Sequence, residues 1–193
     1  MRAGAVILPL NTDYTPREVS YFPSNAGASL LVCSPEKETE LIPVAEQAGV
    51  VHDVTLGKFA DGPLIEASQK HRTRFRTVDA DGDDLAAILY TSGTTGLPKG
   101  AMLSHENLAS NARVLVEFWQ FTVDDVLLHP LPIFHTHGLF EATNVCLMAG
   151  CSMLFMPRFS TAEAILLLPQ ATAMMACPPI IAGCWRTTNS MPS

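Results

Sequence analysis

Residues 90–100 read Tyr90-Thr91-Ser92-Gly93-Thr94-Thr95-Gly96-Leu97-Pro98-Lys99-Gly100, and no other stretch restricts this chain so strongly. On its left, Leu85-Ala86-Ala87-Ile88-Leu89-Tyr90 is an apolar run of a length suited to a buried strand. On its right, Ala101-Met102-Leu103 leads into a long amphipathic stretch over residues 105–119. A segment this rich in glycine and hydroxyl groups cannot form a core. It is suited to wrapping oxygen atoms. Glycines let backbone N–H groups turn inward, and successive inward N–H groups make a concave anion nest. The hydroxyls of Thr91, Ser92, Thr94 and Thr95 add donors, and Lys99 adds a compact positive charge. The guest this chemistry fits is a polyphosphate.

Spacing excludes two better-known phosphate loops. A P-loop needs G-x4-G-K-[ST], whereas here Leu97-Pro98 separates Gly96 from Lys99 and Gly100 follows the lysine, leaving no hydroxyl for a metal-bound phosphate. A dinucleotide fingerprint needs G-x-G-x-x-G, and only Gly93-x-x-Gly96 is present. An ordinary surface turn is the plain alternative, but a turn does not require a run of hydroxyls ending in lysine.

The chain has 193 residues, enough for one domain with a real core. Charged residues make up 16%, against roughly 25% in an average soluble domain, and the mean hydropathy is +0.21. That composition suits a piece of a larger body whose other parts cover some of its faces. A net charge of −7 argues against nucleic acid as a partner. The five cysteines, Cys33, Cys146, Cys151, Cys177 and Cys184, are odd in number and include no C-x-x-C. They read as free thiols in a reducing, cytoplasmic setting rather than as a disulfide framework or a zinc knuckle. Polar residues and prolines interrupt every apolar stretch before it reaches membrane-spanning length. Residues 1–10 lack the form of a signal peptide, since the apolar part is short and ends in Pro9 and Asn11.

Along the chain, strands and helices are expected to alternate. Residues 5–8 read as a short buried strand. Thr15, Pro16 and Glu18 supply an N-cap, an N1 proline and an N3 acid for a helix that should stop at Pro23. Residues 29–33 form the next strand, and Ser34-Pro35-Glu36 opens a helix to about Ala48, with Gly49 as its stop and a kink or break at Pro43. Residues 50–56 are a strand. Residues 57–82 carry little pattern and read as a linker with a solvated basic cluster, Lys70, His71, Arg72, Arg74 and Arg76. Asp81-Gly82-Asp83-Asp84 lacks the downstream Glu of a calcium loop and reads as a turn.

Beyond the loop, Ser104 caps the helix of 105–119, whose Leu108, Ala112, Leu115 and Trp119 should face the core; His105, at its first position, should be exposed and has no assigned role. Residues 126–128 are a strand, Thr136 or Gly138 starts a helix through about Met148, and residues 152–156 are a strand. Ser160 or Thr161 caps a short helix to Leu168, and residues 171–176 form a last strand. Residues 177–179 read as a strand exit and 185–193 as a frayed polar tail. The fold class is therefore α/β, a largely parallel sheet flanked by helices.

Residues 90–100 resemble the phosphate-binding signature of the adenylate-forming enzymes, that is, acyl-CoA synthetases, luciferases and adenylation domains. Gly4-Ala5-Val6-Ile7-Leu8-Pro9-Leu10-Asn11-Thr12 resembles an earlier segment of that family. Leu131-Pro132-Ile133-Phe134-His135-Thr136-His137-Gly138-Leu139-Phe140 resembles a later one, and its wording is most similar to malonyl-CoA synthetases. The similarity runs from about Gly4 to about Ala176. The resemblance implies part of the large N-terminal, AMP-binding domain over residues 1–193. It also implies a divergent tail from 177 and a C-terminal lid domain outside this chain.

The reaction it implies joins a small carboxylic acid to CoA through an acyl-adenylate made from ATP. Thr91, Ser92, Gly93, Thr94, Thr95, Gly96 and Lys99 would hold the ATP phosphates. His135 would lie by the acyl carboxylate and the reacting phosphate, and His137 would contact the substrate or stay structural. If residues 135–137 are extended, both rings point to one side. With His129 they raise a metal reading, but H-x-H without a nearby Cys or acid is a weak zinc pattern, and no metal ligand is assigned. Magnesium would take its protein ligand from beyond Ser193 in the family order, where the ribose-binding aspartate and the hinge also fall.

Malonyl-CoA synthetases carry a basic residue shortly after the last strand. Here Pro178 is followed by Pro179-Ile180-Ile181-Ala182-Gly183, and Arg186 comes later. That departure weighs against a dicarboxylate for this polypeptide, and an aryl- or fatty-acyl ligase or another adenylation domain stays open. So does a partial product without turnover. The 193 residues alone are expected to give no measurable adenylation.

Overall fold

In the computed structural model, which describes residues 2–91 and 97–189 (the side chains of 187–189 excepted), helix α1 (Pro16–Ala26) begins as its sequence requires. The hydroxyl of Thr15 accepts from the Glu18 N–H, and the Glu18 carboxylate accepts from the Thr15 N–H at 2.8 Å. The helix does not stop at Pro23. A proline so near the end forfeits one intrahelical bond, and Pro23 is buried with Phe22 and Val19. The stop is Gly27, at φ +65°, a left-handed cap that only a residue without Cβ adopts cheaply.

The remaining elements of the first unit, residues up to 80 with 90–101, are β1 (Leu30–Cys33), a 3₁₀ turn (Pro35–Lys37), α2 (Glu38–Gln47), β2 (His52–Thr55) and α3 (Pro63–Gln69). Strands β1 and β2 pair in parallel, Leu30 opposite His52. Val19, Leu31, Leu41, Ala45 and Val50 form the core between the helices and β1. Pro43 lies inside α2 without breaking it. Two readings need correction. Residues 5–8 make only a single bridge at Ile7, and Val6 and Ile7 are exposed rather than buried. Within the supposed linker, Pro63 at N1 starts α3, a helix too short to announce itself by periodicity.

Strand β3 (Leu85–Thr91) and strand β4 (Lys99–Ser104) are hydrogen-bonded neighbours on either side of the hydroxyl-rich loop. In the second unit, 81–89 with 102–193, α4 (His105–Trp119) starts from a Ser104–Asn107 capping box. Leu108 and Ala112 are buried and Leu115 partly so, whereas Trp119 is 41% exposed, its ring tilted against that of Phe121. His105 is half-buried rather than exposed, its N–H held by the Asp84 carbonyl.

Strand β5 (Val126–His129) lies between β6 (Ser152–Phe155) and β7 (Ala173–Met174), parallel to both. Leu127 packs with Ala142, Val145 and Ile180, and Leu128 with Met156, Ala164 and Cys184. Both faces of this strand are thus covered. The connections are a π-helical turn (His137–Ala142) continuing into α5 (Thr143–Ala149), then α6 (Thr161–Leu167) with a 3₁₀ turn (Leu168–Gln170). The supposed strand exit and frayed tail form α7 (Pro178–Asn189), whose Ile180 and Cys184 are buried; residues 190–193 lie outside the described residues. Two prolines at its start and an apolar pair four apart explain the helix. The parallel α/β architecture expected is present, with its strands, among the described residues, spread over three small sheets.

Asp125 fastens β7 to β5. Its carboxylate accepts from the Thr172 hydroxyl at 2.7 Å and from the Thr122 N–H at 2.7 Å, and the Thr172 hydroxyl accepts from the Val126 N–H at 2.9 Å. These bonds, that from Thr172 first, hold the Asp125 carboxyl below its ordinary value. A carboxylate lowered in the folded state contributes stability that is complete above its unfolded pKa and drains away as pH falls through the folded one. Asp125→Asn in the full chain should lower the melting temperature at neutral pH, with the deficit shrinking below about pH 4. A deficit that stays constant into acid would contradict this account.

Candidate functional site

Both ends of the hydroxyl-rich loop are tied to one helix. At its start, the Tyr90 hydroxyl donates to Asn25 Oδ1 on α1 at 2.6 Å. At its end, the Tyr21 hydroxyl, also on α1, donates to the carbonyl of Pro98 at 3.0 Å. The rings of Tyr21, Phe22 and Tyr90 meet edge-on, with centroids between 4.8 and 6.0 Å apart. Burial, and next the neighbouring Tyr21, push the Tyr90 phenol above its ordinary value, so it remains a neutral donor. Thr91 closes β3 and Lys99 opens β4, with the Thr91 hydroxyl 3.5 Å from the Lys99 carbonyl, the outer limit of a hydrogen bond. Both side chains are exposed. Ser92, Gly93, Thr94, Thr95 and Gly96 lie outside the described residues.

Between α1 and the loop ends is a cavity of about 340 Å³, lined mainly by Arg17, Tyr21, Phe22, Tyr90, Thr91 and Pro98. The loop therefore springs from an aromatic bed with fixed edges. Sequence reasoning missed this bed. Tyr21 and Asn25 carry no local signal, since their partners are 77 and 65 residues away.

The histidine turn belongs to the second unit. His135 is exposed and His137 half-buried, as the first residue of the π-helical turn. The segment is not extended: Thr136 is already helical, at φ −48° and ψ −52°. A two-residue step along a helix turns the chain by about 200°, so the rings do not share one side as an extended chain would place them.

The organiser here is His129, at the end of β5 and 0% exposed. Its Nε2 is 2.8 Å from the Gly138 carbonyl, which also accepts from the Thr143 hydroxyl at 2.9 Å. A carbonyl only accepts, so Nε2 carries the proton. The Phe155 ring meets the imidazole edge-on at 5.3 Å, and Nδ1 is buried with no partner among the described residues. His129 thus gives up hydration at one nitrogen to hold the turn with the other. Its signal in the sequence is a histidine closing the apolar run Val126-Leu127-Leu128.

Among the described residues no group of three or more His, Cys, Asp or Glu side chains is placed to hold a metal ion. No helix among them is long and apolar enough to cross a membrane.

Residues 1–192 match the family described as AMP-binding enzyme. The chain belongs to that family. Among its relatives, the mitochondrial malonate–CoA ligase of Mus musculus is 32% identical over 195 residues, covering 92% of this chain and 31% of its own length. The crystal structure of ATP-bound MatB from Rhodopseudomonas palustris superposes with a TM-score of 0.90 at 49% identity, covering 95% of this chain and 36% of the other. A malonyl-CoA ligase in a ternary product complex with methylmalonyl-CoA and AMP gives a TM-score of 0.76 at 32% identity, over 98% of this chain and 38% of the other. The α/β architecture is that of part of the large N-terminal domain of adenylate-forming enzymes. The chain spans about a third of the length of these relatives.

Gly138 offers a direct check on the histidine turn. A Cβ there would lie 2.2 Å from the Pro132 carbonyl oxygen and 2.9 Å from its carbon, with only backbone available to move. Gly138→Ala should therefore lower unfolding free energy by about 1–3 kcal/mol in chemical denaturation. An unshifted midpoint would show that the turn does not pack this way.

Proposed function

We propose that the protein containing this chain is an ATP-dependent acid–CoA ligase acting on malonate or a close analogue. It would form an acyl-adenylate and then the acyl-CoA thioester. The observation that carries the reading is the hydroxyl-rich loop rooted between β3 and β4 and ending in exposed Lys99, in a chain of the AMP-binding enzyme family. The identity with malonate–CoA ligases favours malonate. We assign residues 1–193 to the AMP-binding domain and leave the lid to other parts of the protein.

In this reading the substrate carboxylate attacks the α-phosphorus of ATP and pyrophosphate leaves. Two anions must meet, so charge screening and alignment supply most of the rate. Thr91, Ser92, Thr94 and Thr95 offer hydroxyl donors, Gly93 and Gly96 offer backbone N–H groups, and Lys99 neutralises charge on the departing phosphates. His135, exposed on its turn, is assigned to the acid and the reacting phosphate, and His137 to the acid. Magnesium enters as the counter-ion of ATP, with no residue of this chain assigned to it. CoA is the second co-substrate. The partners are small molecules, and we place the reaction in a reducing compartment, the cytoplasm.

Malonate-dependent ATP–pyrophosphate exchange tests the assignment, in MatB with its matching segment replaced by residues 4–176. Exchange should appear, and Lys99→Ala should reduce it by about 100-fold or more, as for loss of one aimed donor. Full exchange in the alanine variant overturns the role of Lys99, and exchange with aryl or fatty acids alone overturns malonate.

The loop bed gives a second test. Tyr21→Phe keeps the ring and deletes the hydroxyl that holds Pro98. The loss should raise KM for ATP about 2- to 10-fold, the equivalent of one net hydrogen bond, with kcat little changed. An unchanged KM would mean that the bed does not position the loop.

A further inference from the structure

We propose that Cys146 and Cys151 are a modification site: a dithiol that closes reversibly into an intramolecular disulfide, with a low-molecular-weight disulfide such as oxidised glutathione as the oxidant. The inference goes beyond the ligase reading and does not depend on it. Cys146 sits on α5 with 2% of its surface exposed, and Cys151 follows Gly150, the left-handed cap at φ +74° that turns the chain from α5 into β6. The turn is held by the Cys151 N–H donating to the Cys146 carbonyl at 3.1 Å. It brings the two sulfurs to 2.8 Å, with both cysteines as free thiols. A disulfide bond is about 2.05 Å long, so closure requires the sulfurs to approach by less than 1 Å.

Burial assigns the order of events. It pushes the Cys146 thiol up to about 12, helped by the hydrogen bond between that thiol and Cys151, so Cys146 is a poor first nucleophile. Cys151 is half-buried, the more exposed of the pair. Its thiolate attacks one sulfur of the oxidised tripeptide, forming a mixed disulfide and releasing one glutathione thiolate. The Cys146 sulfur then attacks the Cys151 sulfur. The bond to glutathione breaks, the 146–151 bond forms, and the Cys146 proton passes to the departing thiolate. In balance, two protein thiols lose two hydrogen atoms and one oxidised glutathione becomes two reduced ones. The bond would staple the last turn of α5, which continues the turn bearing His137, to the first residues of β6.

The sequence makes the test direct. Trypsin cuts after Arg113 and next after Arg158, so one peptide, residues 114–158, holds both thiols and no other cysteine. The folded chain is incubated with oxidised glutathione, denatured, alkylated with iodoacetamide, digested and weighed. The peptide should carry no alkyl group and should have lost two hydrogen atoms. After dithiothreitol it should carry two alkyl groups. Cys146→Ser should stop the sequence at a stable glutathione adduct on Cys151, and Cys151→Ser should leave Cys146 alkylated without an adduct. A parent peptide that keeps two alkyl groups, or that accumulates the adduct without closure, overturns the proposal. The measurement on the parent chain needs no variant to fold.

Discussion

Burial of β5 on both faces is the constraint on which the second unit depends. Leu127 and Leu128 are fully buried and point to opposite sides, so helical cover is needed on each. Parallel neighbours satisfy the strand's backbone, and the crossovers that parallel pairing demands supply the helices. Once the strand is enclosed, whatever follows it must leave at its C-terminal end. That is where His129 and the turn through residues 137–142 are found. In open parallel sheets, the carboxyl ends of strands are where side chains and loops are free to meet ligands. The hydroxyl-rich loop obeys the same geometry, since it leaves the C-terminal end of β3 at Thr91.

The two candidate segments are held by different physics. The loop is anchored at its roots by phenol hydroxyls to a side-chain amide oxygen and a backbone carbonyl, on rings that exclude water. Such anchors set where the loop begins and ends while leaving Thr91 and Lys99 exposed. The histidine turn is anchored from beneath by a buried imidazole, with Gly138 pressed against the Pro132 carbonyl. One arrangement presents cationic and hydroxyl groups at a strand end. The other presents an exposed ring on a rigid base. A reaction that brings two anions together uses both kinds of support.

Much of this was legible in residue order. The Thr15–Glu18 and Ser104–Asn107 capping boxes, the strand before the loop and the helix after it are local matters, settled by caps and apolar spacing within a few residues. The errors share a cause. Pro23 was read as a stop, but the buried surface of α1 carries the helix on to Gly27. Helix α3 was too short for a period to show, and Trp119 keeps the core period of α4 yet stays 41% exposed. Residues 177–179 read as a strand exit and 185–193 as a frayed polar tail, yet Ile180 and Cys184 have apolar partners that make a helix over 178–189 worth forming. The helix expected from Thr136 or Gly138 does begin there, and this sets aside the extended geometry under which both histidine rings would share a side.

By itself, the sequence determined that a polar, glycine-punctuated loop ending in Lys99 must sit outside a core and favour anions, because hydroxyls, amides and one ammonium have no other common use. It determined too that strands and helices alternate. Only the tertiary structure decided which residues hold the loop and the histidine turn in place. Tyr21 and Pro98 are 77 residues apart, as Tyr90 and Asn25 are 65 apart, and a hydrogen bond across such a separation exists only once the intervening chain has packed. The same holds for the role of His129. Its chemistry is written in its side chain, but whether the ring binds a metal, meets water or pins a carbonyl is decided by what surrounds it.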